Sequence, residues 1–275
     1  MGRSSAGELT VQSGEPLAGA FLPLRHATAY KSVFQRIEQR ILSGELPQGH
    51  ALPTEQVLAQ QFEVNRSTVR EAIRLLEQEG MVERRAGRRM FASAPGIFEL
   101  APRTKRALIL HQVTFNELWQ VAVVLDPLAA RLAAPLANKA DIEELEANLA
   151  ENIALLKRAP NEPVDFKRVA ALDVTFHAAI ARICDNHALI LAREPMSLLY
   201  SPSTEQVQST LPQAGKRNIE SHRRILNALR AKDAAQAEEW MRKHLVDFRR
   251  GYALSGIAMD APLTGARPAL GASLK

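Results

Sequence analysis

Apolar residues recur at helical spacing along most of this chain, and Gly- and Pro-bearing turns punctuate them. Residues 30–43 set Val33, Phe34, Ile37 and Ile41 on one face of an amphipathic helix, closed by Gly44 and the turn Pro47-Gln48-Gly49. A shorter helix over 54–61 is expected to bury Val57, Leu58 and Phe62. Glu63-Val64 then makes a tight corner into a third helix, which Asn65 can cap by accepting an orphan N–H of its first turn. Val69, Ile73 and Leu76 form the buried face of that helix, and Gly80 can end it in the left-handed conformation. Arg66, Arg70 and Arg74 make a separate stripe at every fourth residue. Residues 81–85 and 89–92 read as two short strands joined by Ala86-Gly87-Arg88, with Arg84, Arg85, Arg88 and Arg89 on or beside the tip.

Ala94-Pro95-Gly96 and Ala101-Pro102 break this pattern and suggest a linker over 95–113. Beyond it only helical periods appear. They predict helices over 114–136, 141–158, 164–184 and 187–200, then a polar loop through Gly215, then helices over 216–231 and 233–254. The expected fold is mainly α: a winged helix-turn-helix over 26–94, then an all-helical antiparallel bundle over 114–255. Residues 1–25 read as a loose arm and 256–275 as a frayed tail.

A chain of 275 residues can hold two cores, and 46% apolar content suits a globular protein. No apolar run approaches the roughly 18–20 residues that span a bilayer, and the N-terminus lacks a signal-peptide pattern. One cysteine, Cys184, excludes an intramolecular disulfide and fits a reducing cytoplasm. Between Arg66 and Arg89 seven arginines face four glutamates, so three of the chain's five excess positive charges fall there. Two closely joined short helices, the second basic, followed by a basic hairpin, have the form of a DNA-reading unit. The competing reading of the third helix alone is a surface helix with solvated arginines.

The bundle carries one chemical constellation. Asp173 and His177 stand four apart and leave the same helix face. His222 and His244 lie on the last two helices. One carboxylate and three imidazoles suit Zn, Ni, Mn or Fe with coordination sites to spare. Asp-x-x-x-His is a weak pattern, and by spacing alone a histidine on an apolar helix face is more often a satisfied core residue.

The first unit resembles the winged helix-turn-helix of the GntR family of bacterial transcription regulators. The likeness rests on residues 41–49, Leu52-Pro53-Thr54-Glu55, Val64-Asn65-Arg66-Ser67-Thr68-Val69-Arg70-Glu71-Ala72 and Gly80-Met81-Val82. It implies DNA contacts from Arg66, Thr68 and Arg70, with Asn65, Ser67 and Arg88 beside them, and a wing glycine, Gly87, in the minor groove. Four positions depart from the family pattern. Gln56 stands where an arginine is frequent, Asn65 for Ser or Thr, Glu63 for a glycine, and Arg89 for a wing glycine.

The second unit resembles the FCD effector domain of the FadR-type subfamily. The carrying segments are Glu117-Leu118-Trp119, residues 125–134, Asp173-Val174-Thr175-Phe176-His177, Asn186-His187-Ala188-Leu189, residues 221–229 and Met241-Arg242-Lys243-His244-Leu245. That likeness implies that Asp173, His177, His222 and His244 ligate a divalent metal, Zn or Ni, beside a small carboxylate effector. Val121-Ala122-Val123-Val124 departs from the family where an arginine is frequent, which suggests a more apolar pocket. His187 is not expected to be a ligand, and Arg131 and Arg182 are expected in surface salt bridges. The whole implies a cytoplasmic, homodimeric, operator-binding regulator, a repressor by the more common sign, and neither a membrane protein nor an enzyme. A metal-dependent hydrolase and a direct metal sensor remain the alternatives.

Overall fold

The computed structural model describes residues 28–85, 89–157 and 163–263. The chain divides into two compact units, one ending at Ala94 and the other beginning at Pro95.

In the first unit α1 (Thr28–Leu42), α2 (Glu55–Gln61) and α3 (Arg66–Gln78) pack around one core. Thr54 caps α2 and Asn65 caps α3, each accepting from a first-turn N–H. Val69, Ala72, Ile73 and Leu76 are fully buried against Val33 and Ile37 of α1. Burial of each larger side chain contributes roughly 1.5–3 kcal/mol. Strands β1 (Val82–Arg85) and β2 (Arg89–Ala92) pair antiparallel, with Val82 opposite Ala92 and Arg85 opposite Arg89. Residues 50–52 add a third short rung through Leu52 N–H to Met90 O and Ala92 N–H to His50 O, each 2.8 Å.

Two expectations change here. Val57 faces solvent at 39% exposure, because α2 turns Leu58 and Ala59 inward instead. Glu63, where a glycine was expected in relatives, adopts φ +54°, so the corner demands the left-handed region whatever the residue. The wing tip with Gly87 and Arg88 lies outside the described residues.

The second unit is a helical bundle: α4 (Ile97–Leu110), α5 (Phe115–Leu136), α6 (Lys139–Leu156), α7 (Phe166–Ile183), α8 (His187–Ser197), α9 (Ser201–Thr210), α10 (Pro212–Arg230) and α11 (Ala234–Leu254). Capping boxes at Thr114/Glu117 and Asn138/Asp141 start α5 and α6. A short connection turns α10 into α11, and the two pack as antiparallel neighbours. The core is small alanines of α5 interleaved with Phe176, Ile180, Ile225, Leu229 and Met241.

The structure corrects three boundaries. The stretch expected as a linker contains α4, which packs on α8. The expected polar loop is α9 and the start of α10. Its Ser203, Thr204, Val207 and Gln208 are buried, and Pro202 takes the first-turn position that suits its missing N–H. Residues 256–263 of the expected tail dock instead: Leu263 is buried and donates to Val113 O at 2.8 Å, and Met259 O accepts from Asn116 at 2.9 Å. Among the described residues no helix is long and apolar enough to cross a membrane.

Candidate metal centre and nucleic-acid interface

Helix α3 presents Arg66, Arg70 and Arg74 to solvent on the side away from its buried face. Their electrostatic states differ. Arg74 is tied to Glu71 at 2.7 Å. Arg70 Nε lies 3.3 Å from Glu55, whose carboxylate also takes Arg84 at 3.5 Å, while Arg84 reaches Glu77 at 2.5 Å. Arg66 has no carboxylate partner among the described residues. At the helix start a single oxygen organises three donors: Asn65 Oδ1 accepts from Thr68 N–H at 2.8 Å and from the Ser67 and Thr68 hydroxyls at 2.7 Å each. In β1, Arg85 stacks 4.7 Å from the Phe91 ring centre and pairs with Glu83. The surface is basic, with several arginines held in acidic latches.

In the bundle the four residues singled out by sequence converge. Asp173 and His177 come from α7, His222 from α10 and His244 from α11, all buried, with one donor atom of each within 4.8 Å of the others. His177 Nε2 lies 3.1 Å from His244 Nε2, and His222 Nε2 lies 3.4 Å from Asp173 Oδ1. A tetrahedral ion with bonds of about 2.0–2.2 Å keeps its donors roughly 3.3–3.6 Å apart, so these separations fit an ion with small adjustment. Both ring nitrogens of His222 are buried without a hydrogen-bond partner among the described residues. Its ring stacks on Phe176 at 3.9 Å and 7° between planes. Leaving such nitrogens unpaired is costly, and an ion among the four donors would engage one of them.

The electrostatics agree with metal ligation, which needs neutral imidazoles. Burial, then neighbouring His244 and His177, lowers the His222 pKa well below the usual histidine value. Burial and His177 push His244 down to about 4.

Sequence reading missed the groups around this set. Asn218 of α10 donates to Asp173 Oδ1 at 2.6 Å. Asp126 of α5 accepts from Arg193 Nε of α8 at 2.6 Å and lies 2.9 Å from His177 Nδ1. Burial alone would raise the Asp126 pKa, but Arg193 and His177 hold the carboxyl well below the usual range. Both partners are buried, so each depends on the other. A charged residue in an alanine-rich helix, inside the 125–134 segment that carries the FCD resemblance, was the signal for Asp126, and nothing in sequence paired it with Arg193.

A cavity of about 460 Å³, counting its open mouth, adjoins Asp173, His177 and His244. Of Val121-Ala122-Val123-Val124 only Ala122 lines it, while Val121 and Val124 face solvent at 40% and 60% exposure. The helix phase therefore corrects the view that the whole segment shapes the pocket. His187 is exposed at the start of α8. Arg131 reaches Glu238 at 3.8 Å and Arg182 reaches Glu144 at 2.5 Å, both in surface pairs as expected.

A winged helix-turn-helix, joined in one chain to a bundle with a buried histidine–carboxylate cluster, defines a DNA-binding transcription regulator. Residues 29–91 match the family described as bacterial regulatory proteins, gntR family, and residues 117–247 match the FCD domain. The chain belongs to the GntR family, with an FCD domain as its second unit. It is 29% identical over 219 residues to the HTH-type transcriptional regulator LutR of Bacillus subtilis strain 168, covering 77% of this chain and 97% of LutR. It is 28% identical over 228 residues to the HTH-type transcriptional repressor NanR of Edwardsiella tarda, covering 81% and 85%. A solved structure, Streptococcus agalactiae GntR, is similar with a TM-score of 0.55 and 26% identity over 80% of this chain and 99% of that one. These families are regulators and not enzymes, which removes the hydrolase alternative.

Proposed function

We propose that this regulator binds a double-stranded operator as a homodimer and that a small carboxylate, held beside a divalent metal in the bundle, changes its operator affinity. The observation that carries this reading is the buried set Asp173, His177, His222 and His244, with both ring nitrogens of His222 lacking a hydrogen-bond partner among the described residues, beside a cavity. These four residues would hold the ion, Zn or Ni by their nitrogen-rich character. A cation there supplies an attachment point for an anionic oxygen.

Asn65, Arg66, Ser67, Thr68 and Arg70 lie at the exposed start of α3, where a recognition helix meets base edges and phosphates. Gly87 and Arg88 are proposed as the wing contacts. A twofold operator needs two such heads one DNA turn apart, about 34 Å. A surface stripe on α5, Val121, Val124 and Leu128, is 37–60% exposed and would be buried by a second copy. Repression is the proposed sign, in keeping with NanR of Edwardsiella tarda, a transcriptional repressor. Solution in the cytoplasm is proposed from the lone, buried Cys184.

Elemental analysis of protein made without a histidine tag tests the centre: one transition metal per chain supports it, and none after soaking with Zn or Ni rejects it. A direct metal sensor is distinguished by operator affinity that follows free metal with no carboxylate present.

A further inference from the structure

The cavity beside the metal donors has a polar wall whose charges are already matched and a wall that is apolar. Arg193 donates to Asp126 Oδ1 at 2.6 Å and to Glu194 Oε1 at 2.7 Å, so one positive charge faces two carboxylates. The Ser197 hydroxyl donates to Glu194 O at 2.8 Å, and Trp119 Nε1–H donates to Leu245 O at 2.9 Å. Apart from the metal donors, one polar atom among the described lining residues is left. The Tyr200 hydroxyl is buried and has no hydrogen-bond partner. The remaining walls are the faces of Trp119, Ala122, Val174, Leu245 and Phe248.

These facts select among acids. A second carboxylate would meet Asp126 on the wall, and the one cation there, Arg193, is already shared between Asp126 and Glu194; like charges brought together out of water are strongly unfavourable. The hydroxyls of a sugar acid would lose water against five apolar walls, with one protein hydroxyl to share among them. An apolar body gains from the same walls. A single acceptor on that body would satisfy the orphaned Tyr200 hydroxyl, which is costly to leave unpaired.

We propose that the effector is a monocarboxylic acid with an apolar body and one hydrogen-bond acceptor that takes the Tyr200 hydroxyl. This rests on the reading that the acid's carboxylate sits at the metal.

The test is calorimetric titration of the full-length Zn-loaded protein with phenylacetate, its 2-, 3- and 4-methoxy derivatives, gluconate and succinate. At least one methoxyphenylacetate is expected to bind about tenfold or more tighter than gluconate and succinate. Tyr200→Phe is expected to weaken that ligand about fivefold, the scale of one net hydrogen bond, and to leave phenylacetate unchanged. Equal or tighter binding of gluconate or succinate would overturn the apolar-monoacid assignment while leaving a metal-held carboxylate standing. Equal losses for both aryl acids in Tyr200→Phe would overturn the role of the hydroxyl. Absence of binding by every acid, or binding unchanged after the metal is stripped, would overturn the metal-held carboxylate and the assignment with it.

Discussion

Oδ2 of Asp126 lies 2.9 Å from Nδ1 of His177, joining two buried side chains on α5 and α7. Asp126 stays ionised because Arg193 and His177 outweigh the cost of its burial. An ionised carboxylate accepts a hydrogen bond from Nδ1–H, so in the neutral ring Nε2 of His177 carries the lone pair, 3.1 Å from His244 Nε2. Asp126 is thus a positioning residue for His177, a proposed metal ligand. Asp126→Asn is expected to lower metal affinity about 10–100-fold, the usual effect of removing such a carboxylate. Competition against a chromophoric chelator reads this directly, and affinity equal to that of the parent protein would sever the link.

Removing a ligand should act more strongly. His177→Ala is expected to lower metal content to well below one ion per chain and to abolish the effector response. Operator binding without effector should persist, because α3 belongs to the other unit. Full metal occupancy in His177→Ala would take His177 out of the site.

The acidic latches on the basic surface have an opposite effect to the arginines they hold. Arg66→Ala and Arg70→Ala are each expected to cost about 1–3 kcal/mol of operator binding if they read bases, or to weaken all sequences alike if they touch phosphate. Glu55→Gln should instead strengthen binding several-fold, because it releases Arg70 and Arg84 from one carboxylate. Fluorescence anisotropy across a salt series separates these cases through the slope of log K against log salt. Weaker binding by Glu55→Gln would show that the latch holds Arg70 in its working position.

Glu63 occupies the left-handed region at φ +54°. That conformation costs a non-glycine residue about 1–2 kcal/mol, of which glycine gives back roughly 0.4–1 through unfolded-chain entropy. Glu63→Gly is therefore expected to stabilise the winged helix by about 0.5 kcal/mol, measured by its urea midpoint. A lower midpoint would mean that Glu63 makes a compensating contact.

The apolar stripe on α5 gives a clean test of assembly. Val124→Asp combined with Leu128→Asp places charge on residues that are 60% and 37% exposed in the single chain, so folding should survive. Sedimentation is expected to show a monomer at micromolar concentration for the variant and the proposed dimer for the parent protein. A variant that remains dimeric would move the interface elsewhere.

Most of the architecture was legible in the chain because its signals are local. The cap at Asn65, the 69/73/76 face and Gly80 each act within a turn or two, so spacing was enough. The segment of α9 was not legible, since Ser203, Thr204 and Gln208 carry the composition of a loop and become helical through burial against their neighbours. Val57 was misplaced because a two-turn helix leaves its phase weakly specified.

The metal donors divide the same way. Sequence determined which groups exist and that Asp173 and His177 share a face, because an i, i+4 pair is set by helix geometry alone. Bringing them to His222 and His244 was decided by the packing of α7, α10 and α11, contacts between residues far apart in the chain. So were the Asp126–Arg193 pair, which spans 67 residues, and the solvent-facing turn of Val121 and Val124. Local spacing determines what a helix can offer; only tertiary packing decides which faces meet, and hence which charges are paired and which polar atoms are left open.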